Sequence, residues 1–551
     1  MKTFIQYEWR NNSFWIIMMH MKRQISTATS DFRQLIEAGY LYVDKTRYVH
    51  QMVRESLQNY FFISRPRRYG KSLFCSTLEH LFKGERELFK GLYIAEEADY
   101  SFEKYPVLHF NFSLLDTTTY ENFLLGFKNM LRGLAHENGV DVKDSTPTYM
   151  LQEFLDKSEK QSVIIIDEFD SPIIDSLDDR EKLERIRKAF SNFYNTIKNK
   201  SSKIRFLFIA GVTKLSNMSI FSKMNNLTDV SMRAEYASAF GYTDEELEGS
   251  FKEYIDDYLS SEGCPYEERN ELLSDIREYY DGYRFSVDTD IKVYNPVSVG
   301  MFFQNGCRFN NYWEMTGVST LAVELAKRYD LVGIIEEEPG AGISSFTSFD
   351  IADIADGSLD RYGIYALLYY TGYLTIDSGN NMGLYLKFPN KEISTSFTTS
   401  LVTRYMDKGN NLDYMVFRAN DAINRGDTEG FITILKEYYE SFPYDLLYKD
   451  KEKTYQLLFH AFFVASGMDA AAEDHSLRGR ADNVIRTKSH IYVCELKVDG
   501  SAEDALAQIK ERKYYEKYLP LARKKNIKLH LVGIDFSSKE RAIKEFKEEI
   551  I

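Results

Sequence analysis

Four short apolar runs, each almost free of polar interruptions, constrain the first half of this chain more than any other feature. They are Asn59-Tyr60-Phe61-Phe62-Ile63-Ser64, Pro106 to Phe112, Val163-Ile164-Ile165-Ile166, and Arg205 to Ala210. A strand that is wet on one face alternates polar with apolar residues, whereas a strand without alternation must be covered on both faces. Helical stretches such as Lys71 to Lys83 separate the runs, so the pattern predicts a parallel sheet flanked by helices. The chain has 551 residues, too many for one core, and two to four domains are expected. Only 10 prolines and no biased tract leave little room for extended disorder.

Chemistry enters where the first run ends. Ser64-Arg65-Pro66-Arg67-Arg68-Tyr69-Gly70-Lys71-Ser72 joins that strand to a helix. A loop in this position turns backbone N–H groups toward phosphate at a helix N-terminus, its lysine reaches the outer phosphates, and its hydroxyl joins a magnesium shell. Gly70-Lys71-Ser72 fits this pattern, although Arg65 occupies the place where a glycine usually stands five residues before Gly70. The third run supplies the complement, because it ends in Asp167-Glu168, 96 residues after Lys71. Asp167 is expected to hold Mg2+ and Glu168 to polarise the attacking water. The nucleotide-binding set expected is therefore Asp44, Arg65, Pro66, Arg67, Arg68, Tyr69, Gly70, Lys71, Ser72 and Asp167. Asp44 sits in Tyr42-Val43-Asp44-Lys45-Thr46, which either lies beside the base or simply caps a helix. Thr213 and Asn217 are lesser candidates for sensing the terminal phosphate, and either reads equally well as a turn residue; Arg233 is a further, weaker candidate for reaching phosphate in trans.

A second cluster stands near the other end: Arg478-Gly479-Arg480-Ala481-Asp482, then Val493-Cys494-Glu495-Leu496-Lys497. Cutting a phosphodiester needs a metal to offset phosphate charge and a deprotonated water. Asp482 and Glu495 are 13 residues apart, a span that suits a hairpin. Their carboxylates and the Leu496 carbonyl offer the oxygen ligands Mg2+ takes. Lys497, two residues after Glu495 on the same strand face, can orient or deprotonate the water. Glu452, on an expected helix from Lys451 to Phe463, is a further catalytic candidate, and Gln508 lies on the expected helix Glu503 to Lys517. His460 and His475 read as structural. Glu-x-Lys alone is common on surfaces, and its weight comes from the apolar strand around it and from Gly-Arg-x-Asp before it.

The expected organisation is an extension at 1–20, where Met18, Met19 and Met21 suggest an overextended start or a floppy arm, then a P-loop ATPase domain at 21–240. A Tyr-rich, mostly helical middle domain follows at 241–385, a helical connector at 386–450, and a small α/β nuclease-like domain at 451–551, ending in a strand–helix pair. Net charge is −14, but the segment from Lys451 onward carries +3 and the remainder −17, which permits local contact with phosphates. The four cysteines are scattered without a CxxC pair, so neither a disulfide framework nor a zinc knuckle is expected, and a reducing cytoplasm fits. Phe14 to Met19 is too short to span a bilayer, and no membrane association is expected.

Together these residues resemble the AAA-ATPase-like proteins that carry a C-terminal PD-(D/E)XK nuclease domain, common in bacteria. The marks are Asp31-Phe32-Arg33, Tyr42 to Thr46, the Arg-Pro-Arg-Arg-Tyr-Gly-Lys-Ser loop, Ile166 to Asp170, Phe221-Ser222 with Asn225-Asn226-Leu227, Tyr280-Asp281-Gly282-Tyr283, Tyr312-Trp313 with Thr316-Gly317, Thr371-Gly372-Tyr373-Leu374, and the two C-terminal motifs. The resemblance runs from about Ser30 to the end, and the missing loop glycine is typical of it. Ala210 departs from the threonine expected before Gly211. The fold class implied is α/β: a P-loop NTPase sheet, a mostly helical middle region and a restriction-endonuclease-like C-terminal domain. The resemblance implies ATP and Mg2+ as cofactors, nucleic acid, with DNA foremost, as partner, and a role in defence or mobile-element traffic. A homo-oligomer is left open. The leading reading is an ATP-controlled, metal-dependent nuclease. The alternatives are a nucleotide-driven signalling or assembly switch that uses the nuclease fold as an effector, and a nucleic-acid binder without catalysis.

Overall fold

The computed structural model describes residues 22–54, 59–214, 226–261, 264, 268–315, 342–343, 361–380, 383–406, 411–442, 455, 458–459, 461–463, 469–476, 479–487, 489–513 and 515–551. Among the described residues the chain divides into two compact units, one running to Asn390 and the other holding Lys391–Ile551. The described residues of 241–385 therefore share a unit with the phosphate loop, and the helices from 391 onward share one with the C-terminal sheet. The extension at 1–20 lies outside the described residues.

In the first unit, α1 (Thr46–Arg54) leads to β1 (Tyr60–Ser64), and the loop then opens α2 (Lys71–Phe82). β2 (Val107–Asn111), α3 (Tyr120–Glu137), β3 (Ser162–Asp167), α4 (Arg180–Asn199), β4 (Ile204–Gly211) and the two-residue β5 (Thr228–Asp229) follow. The strands lie in the order β2-β3-β4-β1-β5, and every pairing is parallel. β1 and β3 are buried along their whole length, as continuous apolar runs require. Val163, Ile164, Ile165 and Ile166 have no exposed surface, and each such side chain stabilises the fold by about 2 kcal/mol. One face is sealed by an aromatic layer in which Phe110 of β2 and Phe112 meet Phe127, Phe190 and Phe193 from α3 and α4. α2 covers the opposite face.

The middle region contributes α5 (Arg269–Tyr280), α6 (Pro296–Gln304), α7 (Arg361–Thr371) and a small sheet containing β6 (Gly342–Ile343), β7 (Thr375–Asn380) and β8 (Gly383–Lys387). Its motif glycines are explained by backbone geometry. Gly282 has φ +113, and a Cβ there would lie 1.9 Å from the carbonyl oxygen of Pro389. Gly372 has φ +92, and its Cβ would lie 2.8 Å from Cβ of Pro66 in the phosphate loop. Neither position admits a side chain.

The second unit begins with α8 (Lys391–Tyr405), α9 (Leu412–Arg425) and α10 (Thr428–Glu440). β9 (Asp469–Ser476), β10 (Gly479–Arg486), β11 (His490–Val498), α11 (Ala502–Arg512), β12 (Lys528–Ser537) and β13 (Ala542–Ile550) complete it. The sheet order is β13-β12-β11-β10-β9, with β11 and β12 parallel and the other pairs antiparallel. The last element is thus a strand, where a helix was expected. Lys and Glu favour helix locally, but β12 offers a full edge of unpaired backbone, and Ile543 gains a buried site by pairing there. α11 ends at Arg512, earlier than expected, because Lys513 adopts a left-handed cap with φ +58. Among the described residues no helix is long and apolar enough to cross a membrane.

Candidate functional site

The loop after β1 encloses a cavity of about 610 Å³, lined by Arg67, Arg68, Tyr69, Gly70, Lys71, Ser72 and Glu168 among others. Two left-handed residues shape it, Arg68 at φ +72 and Gly70 at φ +84. Gly70 precedes α2 without any side-chain cap, and a Cβ on it would meet nothing within 4 Å. The first N–H groups of the helix are therefore left for a ligand, the arrangement that binds phosphate. Lys71 is buried, and its Nζ donates to the carbonyls of Arg65 and Pro66, both at 2.9 Å. Burial lowers its pKa, while Asp167, Glu168 and Asp170 pull it back up.

Glu168 follows β3 with φ +48, a conformation costly for a residue with a side chain, and its carboxylate reaches the cavity wall. Burial raises its pKa, and the neighbouring Asp167 raises it further. Asp167 is buried at the C-terminal end of β3, where its Oδ1 accepts from the Glu168 N–H at 3.0 Å. Ser72 is on the cavity wall, whereas Asp167 is 1% exposed and is not part of that wall; a hydroxyl and a carboxylate are the kinds of oxygen ligand that suit Mg2+.

Other expected ligands stand elsewhere. Arg65 is 1% exposed and does not line the cavity. Its guanidinium donates to the carbonyls of Ser64, Ser231 and Tyr236 and lies 4.1 Å from the Phe285 ring centroid. It braces the loop from behind, which is what the fold does with the residue in the place of the usual glycine. Pro66 is also buried off the cavity, against Gly372. Asp44 is a structural hub: its oxygens accept from Thr46 N–H and Oγ1 and from Tyr93 N–H, each at 2.7 Å. Its neighbours Tyr42, Val43 and Lys45 line the cavity instead. Thr213 is 2% exposed and donates Oγ1–H to Asp170 at 2.7 Å, Arg233 is exposed and off the cavity wall, and Asn217 lies outside the described residues. Ala210 is fully buried and its carbonyl accepts from Phe169 N–H. Sequence reasoning missed Asn111 and Asp175, which also line the cavity. Asn111 was findable, since it ends a parallel strand and ligands gather at such ends.

In the second unit Glu495 sits near the C-terminal end of β11 and is 2% exposed. Its Oε1 accepts from Nε2 of Gln508 and lies 3.9 Å from Nζ of Lys497. The approach of Gln508 depends on a glycine. Glu495 pairs with Gly533 on β12, and a Cβ on Gly533 would lie 2.3 Å from the Ala502 carbonyl and 2.7 Å from the Leu506 nitrogen. α11 thus rests directly on the sheet backbone, one turn from Gln508. Leu496 turns to the other face and is fully buried in the core with Cys494 and Val532. Asn483 pairs with Cys494, and one further step of this register sets Asp482 opposite Glu495. The side chain of Asp482, and all of Glu452, lie outside the described residues. Asp535 went unnoticed in the sequence. It pairs with Lys497, is fully buried, and accepts from Gly500 N–H at 2.9 Å and Lys544 Nζ at 3.1 Å. A buried carboxylate with the Lys497 ammonium beside it supplies part of what a divalent cation and a phosphodiester require.

Comparison with known proteins agrees with both units. A family model described as a predicted AAA-ATPase matches residues 26–221, and one for the PD-(D/E)XK nuclease superfamily matches residues 450–546. A protein of Azotobacter chroococcum mcd 1, described as "Uncharacterized protein in vnfD 5'region", is 30% identical over 548 residues, which cover 96% of this chain and 99% of that protein. With a phosphate loop on a five-stranded parallel sheet at one end and the Asp482–Glu495 hairpin at the other, the chain belongs to the AAA-ATPase-like family whose members end in a PD-(D/E)XK nuclease superfamily domain.

Proposed function

We propose that the first unit binds and hydrolyses ATP with Mg2+, that the second cleaves phosphodiester bonds in DNA, and that nucleotide state governs the cleavage, all within the cytoplasm. The observation that carries this reading is the cavity over the phosphate loop, with Lys71, Ser72 and Glu168 on its wall. Lys71 exchanges its two carbonyl partners for the outer phosphate oxygens. The free N–H groups at the start of α2 hold the inner phosphates. Glu168, whose proton affinity is raised by burial, takes a proton from the attacking water. Ser72 and Asp167 hold the ion, which offsets phosphate charge when bound.

In the second unit Asp482, Glu495 and the Leu496 carbonyl are the cation ligands. Lys497 orients or deprotonates the water, and Gln508 fixes the Glu495 carboxylate. Control of one unit by the other is supported by the relative that spans both over nearly its whole length. The test is to incubate the purified protein with plasmid and Mg2+, with and without ATP, beside the Asp482→Ala and Lys71→Ala variants. Nicking or linearisation that requires Asp482 and responds to ATP is expected. Plasmid left intact by the wild-type protein under both conditions refutes the cleavage reading, and cleavage identical in the Lys71→Ala variant refutes nucleotide control.

A further inference from the structure

Behind the phosphate loop, three side chains with metal-binding atoms converge where the sequence gives no hint of a site. They are Cys75 of α2, His109 of β2 and Asp167 of β3. The Cys75 sulfur, a His109 ring nitrogen and an Asp167 carboxylate oxygen all lie within 4.8 Å of one another. The fold makes this meeting inevitable. Asn111 pairs with Asp167 in the parallel ladder, so His109, two residues earlier on β2, stands on the same face, the one α2 covers. Cys75 and Glu79 are one helical turn apart on α2.

The histidine is already set for ligation. Its Nδ1 lies 2.7 Å from Oε2 of Glu79, whose other oxygen receives Lys83 at 2.5 Å. Burial alone would raise the Glu79 pKa, but the bonds from His109 and Lys83 outweigh it and pull it down to about 2. An ionised Glu79 has no proton to give, so Nδ1–H donates to it and Nε2 is the ring nitrogen left for a cation. That Nε2 is buried and has no hydrogen-bond partner. A carboxylate that orients a histidine from behind is the recurrent support of a metal-ligating imidazole.

We propose that Cys75, His109 Nε2 and Asp167 form a binding site for a soft divalent cation of the Zn2+ class, separate from the Mg2+ position but sharing Asp167 with it. Sulfur and imidazole donors select zinc over magnesium, and three protein ligands leave a fourth tetrahedral position open. Without the cation Cys75 is a neutral thiol, because burial pushes its pKa well up. Binding replaces the S–H bond with an S–metal bond, and the proton leaves to solvent. Once Asp167 serves the soft cation it no longer serves Mg2+, so zinc inhibits ATP hydrolysis. This last consequence rests on the ATPase reading above, whereas the binding itself does not.

The test uses Co2+ as a spectroscopic stand-in, added to the full-length protein under reducing conditions. The wild-type chain and the Cys264→Ala variant are expected to show a thiolate-to-cobalt charge-transfer band that saturates at one equivalent and is displaced by Zn2+. Cys75→Ala loses the band, and His109→Ala and Glu79→Gln weaken cobalt affinity at least tenfold. Absence of the band in the wild-type chain, or its persistence in Cys75→Ala, overturns the site. If Cys75→Ala is unfolded, His109→Ala and Glu79→Gln decide the matter, and unchanged affinity in both overturns it. Zinc inhibition of ATP turnover in the wild type that vanishes in His109→Ala supports the sharing of Asp167, and turnover insensitive to bound zinc overturns the sharing. A chain with no ATPase activity at all still yields the cobalt spectrum, so the two readings fail separately.

Discussion

The ring of Tyr69 meets the ring of Tyr283 edge-on, with centroids 5.1 Å apart, and so ties the phosphate loop to a turn far along the chain. Tyr69 also meets Phe285 at 5.4 Å, and Tyr283 donates its hydroxyl to the carbonyl of Gly372 at 2.8 Å. Gly372 in turn abuts Pro66. The Tyr-Asp-Gly-Tyr and Thr-Gly-Tyr-Leu motifs, for which the sequence offers no chemistry, therefore hold the rear of the loop whose front faces the cavity. Gly372→Val should displace Pro66 and lower ATP affinity about tenfold, equal to about 1.4 kcal/mol, although position 372 does not line the cavity. Titration with a fluorescent ATP analogue checks this, and wild-type affinity in a folded variant would show that the brace does not set the loop.

Lys71 and Glu168 should separate binding from turnover. Lys71→Ala removes the ammonium proposed to grip phosphate, and ATP affinity should fall at least tenfold. Glu168→Gln keeps the shape and loses the proposed base, so binding should persist while turnover drops by roughly 10²–10⁴-fold. Because burial raises the Glu168 pKa, hydrolysis should decline as pH falls through that raised value, where the carboxylate gains its proton. Equilibrium binding and steady-state phosphate release, measured on both variants across pH, distinguish the two roles. Equal loss of binding in both would contradict them.

Much of the first unit is legible in the sequence because β1 to β4 are written as apolar runs with no alternation, a pattern few other environments tolerate. β5 is not legible. It has two residues, Thr228 and Asp229, and exists because Phe61 and Phe62 offer it a partner. Arg65 shows another limit. An arginine beside a phosphate loop reads as a phosphate ligand, yet the carbonyls of Ser231 and Tyr236 and the face of Phe285, all distant in sequence, claim it first. The Cys75–His109–Asp167 cluster is invisible for the same reason, since no spacing rule links residues joined only by sheet register. In the second unit the Glu495–Lys497 pairing was legible from a two-residue period. The seat of Gln508 was not, because it depends on Gly533 lacking a side chain.

Asp281 gives a pH prediction. Its carboxyl is 7% exposed, and one oxygen has no hydrogen-bond partner. Burial pushes its pKa up to about 6, with the Gly282 N–H opposing. The folded value lies above the unfolded one, so the folded state holds the proton more tightly. The associated stability is present below pH 4 and is lost as pH rises to about 6. At neutral pH the buried charge is a net cost, and Asp281→Asn should stabilise the first unit by about 3 kcal/mol. At pH 4 the two proteins should melt together. Thermal unfolding at both pH values checks this, and a variant less stable at pH 7.5 would show that the charge has a partner worth more than its burial.

Gly533 and Gln508 test how the second unit is built around Glu495. An alanine at 533 would press its Cβ against the Ala502 carbonyl and the Leu506 nitrogen, both backbone atoms of α11 that cannot swing aside. The helix must lift, and Gly533→Ala should destabilise the unit by about 2–3 kcal/mol. Gln508→Ala leaves the helix seated and removes only the donor to Glu495 Oε1. Its stability should change by about 1 kcal/mol, while cleavage falls about 10–100-fold, the usual cost of losing a residue that orients a metal-binding carboxylate. Melting curves and plasmid cleavage at saturating Mn2+ and at limiting Mn2+ separate the effects. A Gln508→Ala protein that loses stability but cuts at the wild-type rate would make Gln508 a packing residue and not one that orients the Glu495 carboxylate.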